Sequence, residues 1–219
     1  MSFNLDHDWQ GNMATPKTKL GGKTKLHLFL ILSTLWIFTG LIGHPPWITA
    51  ESQTISMIMD IIQNNSIVAP LAANQTSINN PPLYPYIGAT LGKIFSGLLP
   101  IHDAARLSNA LWMGLTLFSL GMLTRELWGP EYGRQAGLIF IASIGLIFNI
   151  HTIRPEIAAL LGFSLSLYAF ALYNRRPFRA SIILGTGTSI IFLSNGIIPL
   201  ISILITALGL LSIKIWRNK

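Results

Sequence analysis

Residues 26–43 read LHLFLILSTLWIFTGLIG, a run without Asp, Glu, Lys or Arg. A helix that crosses a bilayer needs about 20 mostly apolar residues, with roughly 17 to 25 tolerated, and this run fits. Lys17, Lys19, Lys23 and Lys25 precede it, and His44-Pro45-Pro46-Trp47 follows it. No small-x-small cleavage site follows the run, so it reads as an uncleaved signal anchor. Residues 1–22 are polar and rich in Gly, Lys and Thr. They are expected to form a disordered cytoplasmic basic tail whose lysines meet anionic headgroups.

Moving outward, five further apolar runs appear: Leu107–Leu123, Ala136–Ile150, Ile157–Leu172, Ala180–Leu193 and Ile197–Ile213. The 219 residues are 51% hydrophobic and 11% charged, with mean hydropathy +0.53. Soluble domains carry about 25% charged residues, so the composition excludes that class. The sequence predicts an all-α polytopic membrane protein of about six transmembrane helices, forming one module over residues 23–219. With no cysteine, a disulfide framework and a thiolate metal site are excluded.

The net charge of +7 does not indicate a nucleic-acid partner, because position explains it. With the N-terminus inside and the spans alternating, only Lys93, Arg106 and Arg154 of the 15 basic residues fall outside. The tail lysines, Arg125, Arg134, Arg175, Arg176, Arg179 and the terminal Lys214, Arg217 and Lys219 all fall inside. That asymmetry fixes orientation during insertion, and it places both termini in the cytoplasm, as in a bacterial inner-membrane protein.

The outer loop, residues 44–103, is the long connection. In Glu51–Gln63, Ile55, Ile58, Met59 and Ile62 recur at i, i+3, i+4 and i+7, the stripe of a helix lying along the membrane surface. Pro81-Pro82 starts a second apolar helix, Leu83–Phe95. The remaining outer turns, His151–Glu156 and Ser194-Asn195-Gly196, face the same side as this loop, so their polar groups can converge there.

Each candidate residue there has a structural alternative. Glu51 is a general base or a metal ligand, or else a first-turn acid favouring a helix N-terminus. Arg154, with Pro155 and Glu156, is a phosphate-binding fork or half of a local ion pair. Arg106 binds phosphate or pairs with Asp103 at i and i−3. His44, His102 and His151 lie near the outer boundary but lack a zinc-site spacing.

The order His44-Pro45-Pro46-Trp47-x-x-Ala50-Glu51, Asn80-Pro81-Pro82-Leu83-Tyr84, Ala104-Ala105-Arg106, Arg154-Pro155-Glu156 and Ser194-Asn195-Gly196 resembles the N-terminal half of a GT-C membrane glycosyltransferase. It is most similar to the branch of aminoarabinose lipid A transferases and protein O-mannosyltransferases. The resemblance covers about residues 24–213. It implies transfer of a sugar from a polyprenyl-phosphate carrier to an acceptor at the outer face. It assigns Glu51 to catalysis or to a divalent metal, and Arg106 and Arg154 to the donor phosphate. Trp47, Asn80, Tyr84, Glu156 and Asn195 take supporting positions.

Three departures stand against it. The family's Asp-Glu pair reads Ala50-Glu51, the lysine of its Lys-Pro-Pro-Leu segment is Asn80, and its Thr-Lys-Gly reads Ser194-Asn195-Gly196. Two functions stay open on this reading. One is a glycosyltransferase, whole or truncated, with membrane lipids and a polyprenyl-phosphate sugar as partners. The other is a non-catalytic membrane subunit of a larger complex, built on the same fold.

The topology is testable with single cysteines and an impermeant thiol reagent on intact cells. Gln75→Cys should label and Arg176→Cys should not, and the reverse pattern overturns the orientation.

Overall fold

The computed structural model describes residues 21–43, 45–46, 50–64, 71–72, 75–76, 81–130 and 132–212. Residues 1–20 of the expected tail (residues 1–22) lie outside this set, as do His44, Trp47 and Asn80. The described residues form nine helices: α1 (Gly22–Phe38), α2 (Ala50–Asn64), α3 (Leu83–Phe95), α4 (Ile101–Trp128), α5 (Tyr132–Ile141), α6 (Ile144–Asn149), α7 (Pro155–Leu172), α8 (Pro177–Asn195) and α9 (Ile197–Ser212). A two-residue antiparallel pair, β1 (Leu71–Ala72) with β2 (Gln75–Thr76), lies between α2 and α3.

Three helices are long and apolar enough to cross a bilayer, namely α4, α7 and α8, and α9 is a shorter apolar helix. The chain is an integral membrane protein of all-α class. Its outward apolar faces agree: Phe118, Phe178, Ile182, Ile198, Leu204 and Leu208 are all exposed, a surface that water would not tolerate at this extent. The helices expected at Glu51–Gln63 and Leu83–Phe95 are α2 and α3.

Two expectations change in detail. The third run, Ala136–Ile150, is not one helix. It breaks at Ala142-Ser143 into α5 and α6, with Ser143 extended at φ −70° and ψ 112°. The Ser143 hydroxyl donates to the Ile139 carbonyl at 3.2 Å, a competing bond that bends helices. The buried residues of α2 also extend beyond the apolar stripe to polar positions. Glu51, Thr54, Met57, Ile58, Asp60 and Ile61 are buried, while Ile55 and Ile62 are only partly so. A polar interaction at Glu51, described below, outweighs the apolar pattern there.

Small residues set the closest helix contacts. A Cβ added at Gly162 of α7 would lie 2.7 Å from the Gly187 carbonyl of α8. One added at Gly187 would lie 2.7 Å from the Ser166 hydroxyl and 2.9 Å from the Gly162 carbonyl. Without a hydrophobic drive between helices in lipid, such backbone approach is what lets them associate. Gly121 and Gly133 do the same for α4 and α5, where an added Cβ would meet the Gly121 carbonyl at 2.9 Å.

The connections gather at two poles. At one, Gly43 bonds Asp103, Glu51 bonds Ile153, and Gly196 approaches Pro81. Gly196 takes φ +77° to end α8, a conformation that costs glycine little. At the other pole lie Lys25, Arg125, Arg134, Arg175 and Arg176. Arg175 pairs there with Glu126 at 2.8 Å.

Gly162→Leu and Gly187→Leu should therefore overpack the α7–α8 contact and destabilise the protein by about 1–3 kcal/mol, read by thermal unfolding in detergent. Gly185→Leu, on the same helix with nothing within 4 Å of its Cβ, should be neutral. Equal tolerance at all three positions contradicts the packing argument.

Candidate functional site

Helix α4 begins at Ile101, so Asp103 lies in its first turn and Arg106 follows at i+3. Arg106 Nη1 donates to Asp103 Oδ1 at 2.9 Å. Helix α2 delivers Glu51 in its own first turn, and Arg106 Nη2 donates to Glu51 Oε2 at 3.3 Å. The other Glu51 oxygen accepts the Ile153 N–H at 2.7 Å. Asp103 Oδ2 accepts the Gly43 N–H at 3.2 Å. One guanidinium thus ties together α4, α2, the turn after α1 and the strand-like segment before α7.

These groups are taken out of water: relative exposure is 0% for Arg106, 1% for Glu51 and 3% for Asp103. Desolvating each ion costs several kcal/mol, recovered only with good geometry and further hydrogen bonds. Two carboxylates on one guanidinium, with two backbone N–H donors completing the oxygens, meet that condition.

A second network adjoins the first. The Tyr84 phenol, fully buried on α3, donates to Asn109 Oδ1. Asn109 Nδ2 donates to the carbonyls of Ile150 and Thr152, each at 2.8 Å. Burial pushes the Tyr84 phenol pKa up, so it remains a donor. Tyr84 also lies beside the Arg154 backbone. The α6–α7 connection is therefore pinned from α2 through Glu51 and from α4 through Asn109.

Arg154 is the N-cap residue of α7, with Pro155 opening the helix and Glu156 in its first turn. Arg154 and Glu156 line a cavity of about 300 Å³ together with Asn149 and Leu160. No ion pair joins them among the described residues, and the Arg154 Nε is buried without a hydrogen-bond partner there. The structure thus separates the two arginines. Arg106 is engaged by carboxylates, and Arg154 faces a cavity.

Of the residues singled out from the sequence, Glu51 and Arg106 meet directly, and Tyr84 and Arg154 adjoin them. Glu156 is exposed at the cavity, and Asn195 is half-buried at the end of α8. Trp47 and Asn80 lie outside the described residues. His102 Nε2 stands 3.7 Å from Asp103 Oδ1, and His151 packs near Gly40.

Among the described residues, no group of three His, Cys, Asp or Glu side chains is arranged to hold a metal ion. Glu51 and Asp103 converge on the Arg106 guanidinium. Asn109 was not among the sequence candidates. Its signal was there, because Asp103, Arg106 and Asn109 follow at three-residue steps at the head of an apolar helix. Polar groups at such a place need partners.

The arrangement of helices and short connections is a fold seen in solved structures. Two solved structures share it, both of ArnT from Cupriavidus metallidurans. One, bound to undecaprenyl phosphate, matches with a TM-score of 0.78 and 14% identity over 90% of this chain and 38% of its own. The other, in the apo state, matches with a TM-score of 0.75 and 15% identity over 88% of this chain and 37% of its own. This chain therefore spans little more than a third of the length of those proteins. Neither a family model nor a curated protein matches the sequence.

Arg106→Ala would leave two buried carboxylates facing each other. It should destabilise the fold by about 3–5 kcal/mol, measured by denaturant unfolding in detergent. Replacing Arg175, whose side chain is 71% exposed in its pair with Glu126, should cost under about 1 kcal/mol. A mild Arg106→Ala effect would show that the buried cluster does not hold the fold.

Proposed function

We propose that this chain is a sugar-transfer module of GT-C type, taking its sugar from a polyprenyl-phosphate carrier at the pole that holds Glu51, Arg106 and Arg154. The observation that carries this reading is the buried Glu51–Arg106–Asp103 cluster beside the Arg154 cavity, in a fold shared with a protein seen bound to undecaprenyl phosphate. Ionisable groups buried in a membrane protein are costly and mark sites of function. In an inner membrane with both termini cytoplasmic, this pole faces outward.

In this reading Arg154 binds the donor phosphate, with Glu156 at the rim of the same cavity. The acceptor's hydroxyl or amine gives its proton to Glu51 and attacks the anomeric carbon. The bond from that carbon to the phosphate oxygen breaks, and the polyprenyl phosphate leaves with the electron pair. Arginine charge at the leaving phosphate supplies the electrostatic stabilisation that dominates many such reactions. Arg106 meanwhile positions Glu51, and Tyr84 with Asn109 positions the Arg154 segment.

One observation favours a second reading. Both Glu51 oxygens already accept hydrogen bonds, and Ala50 stands where the resembled family carries its aspartate. That state suits a non-catalytic membrane subunit that retains the carrier-binding cavity.

Sugar transfer from polyprenyl-phosphate donors by the purified full chain separates the two. For an enzyme, Glu51→Gln should lower the rate by about 10²–10⁴-fold, the usual loss of a general base. Arg154→Ala should weaken donor binding with the fold intact. Ala50→Asp with Asn80→Lys should raise transfer. If neither the wild type nor that double variant transfers sugar, yet polyprenyl phosphate still binds in an Arg154-dependent way, the subunit reading stands.

A further inference from the structure

The opposite pole carries a groove that the proposed transfer does not use. It runs between α1, α4 and α5 with a volume of about 490 Å³. Its walls are Leu26, Phe29 and Leu30 of α1 against Leu117 and Phe118 of α4. Arg125 and Arg134 line it as well, from the last turn of α4 and the first turn of α5. Helix α1 touches α4 and α5 but leaves this channel beside the close Gly121–Gly133 crossing. Neither arginine forms an ion pair among the described residues, whereas Arg175 nearby is paired with Glu126. Ser33 also lines the groove, buried, its hydroxyl without a partner among the described residues.

We infer that this groove is a binding site for an anionic phospholipid, with the phosphate on Arg125 and Arg134 and an acyl chain between α1 and α4. Charge complementarity selects the occupant. An apolar channel whose wall carries two cations matches a molecule with an anionic head and a hydrocarbon tail, and basic pockets between membrane helices are known to take such headgroups. Arginines that only mark topology need no channel beside them. Lys25 and Arg134 line an adjoining cavity of about 460 Å³, which extends the positive surface around the head.

Gly114 gives a means of closing the channel. It lines the groove, and a Cβ added there meets nothing within 4 Å. Gly114→Phe therefore projects a ring into the groove from a position where its Cβ meets no neighbour.

The test is native mass spectrometry of the detergent-purified full chain with added phosphatidylglycerol or phosphatidylcholine. Wild type should retain phosphatidylglycerol in preference to phosphatidylcholine, by roughly fivefold for each arginine at the headgroup. Arg125→Gln with Arg134→Gln should abolish that preference. Gly114→Phe should reduce retention of both lipids, with helical content unchanged by circular dichroism. Excess inorganic phosphate should not displace the lipid, since a free phosphate lacks the tail. The inference is overturned by equal retention of the two lipids in wild type or by undiminished binding to Gly114→Phe. It is likewise overturned by displacement with phosphate, or by a lipid-free dimer closing the groove. None of these readouts depends on sugar transfer.

Discussion

The buried contact of Arg106 with Glu51 and Asp103 is the constraint around which the rest of the structure is arranged. A guanidinium at 0% exposure survives only if its charge is matched and the matching carboxylates are themselves satisfied. Satisfying them draws in the Gly43 and Ile153 N–H groups, so segments distant in sequence must meet at one pole. This explains why α2 buries Glu51, Thr54 and Asp60 while leaving Ile55 and Ile62 partly exposed. Ile55 and Ile62 still pack against the core from the side of the helix and lose little by partial exposure. A carboxylate there without its partner loses much more.

The outlines of the fold were readable because membrane insertion imposes coarse rules. Uncharged runs of sufficient length became α4, α7 and α8, and Pro81-Pro82 and Pro155 opened helices where proline fits the first turn. The Ile55, Ile58, Met59 and Ile62 stripe announced α2 as a helix but gave no sign that Glu51, Thr54 and Asp60 would be buried on it as well, since a hydrophobic period does not register one decisive ion pair. The break at Ser143 was hidden for a related reason. Residues 136–150 are apolar enough to read as one span, and a single hydroxyl that bonds back to Ile139 leaves no mark on hydropathy.

The residues of the buried cluster and of the neighbouring cavity were legible in the sequence, and their partnerships were not. Glu51, Arg106 and Arg154 stood out as rare charges on one side of the chain. The pairing of Asp103 with Arg106 was visible from their three-residue spacing. That Glu51 would join the same guanidinium was not, because those residues are separated by a loop whose path the sequence does not specify. Asn109 escaped notice as an ordinary polar residue within an apolar run. Its two bonds to the Ile150 and Thr152 carbonyls show that it braces the segment from which Arg154 extends.

The two arginines divide what a carrier-binding site would require. Arg106 already has its full complement of negative charge, so a donor phosphate arriving there would meet Glu51 and Asp103 as rivals. Arg154 lines a cavity that it shares with Glu156 and forms no ion pair among the described residues, so a phosphate there would find a donor not already held by a carboxylate. The proposed transfer then demands an exchange. For Glu51 to accept a proton it must loosen its bond to Arg106, while the Ile153 N–H continues to hold its other oxygen. A phosphate anchored at Arg154, one residue beyond Ile153, is placed to act on that same segment. In the proposed transfer, carrier binding at Arg154 and release of Glu51 would meet through Ile153, while Arg106 keeps its bond to Asp103.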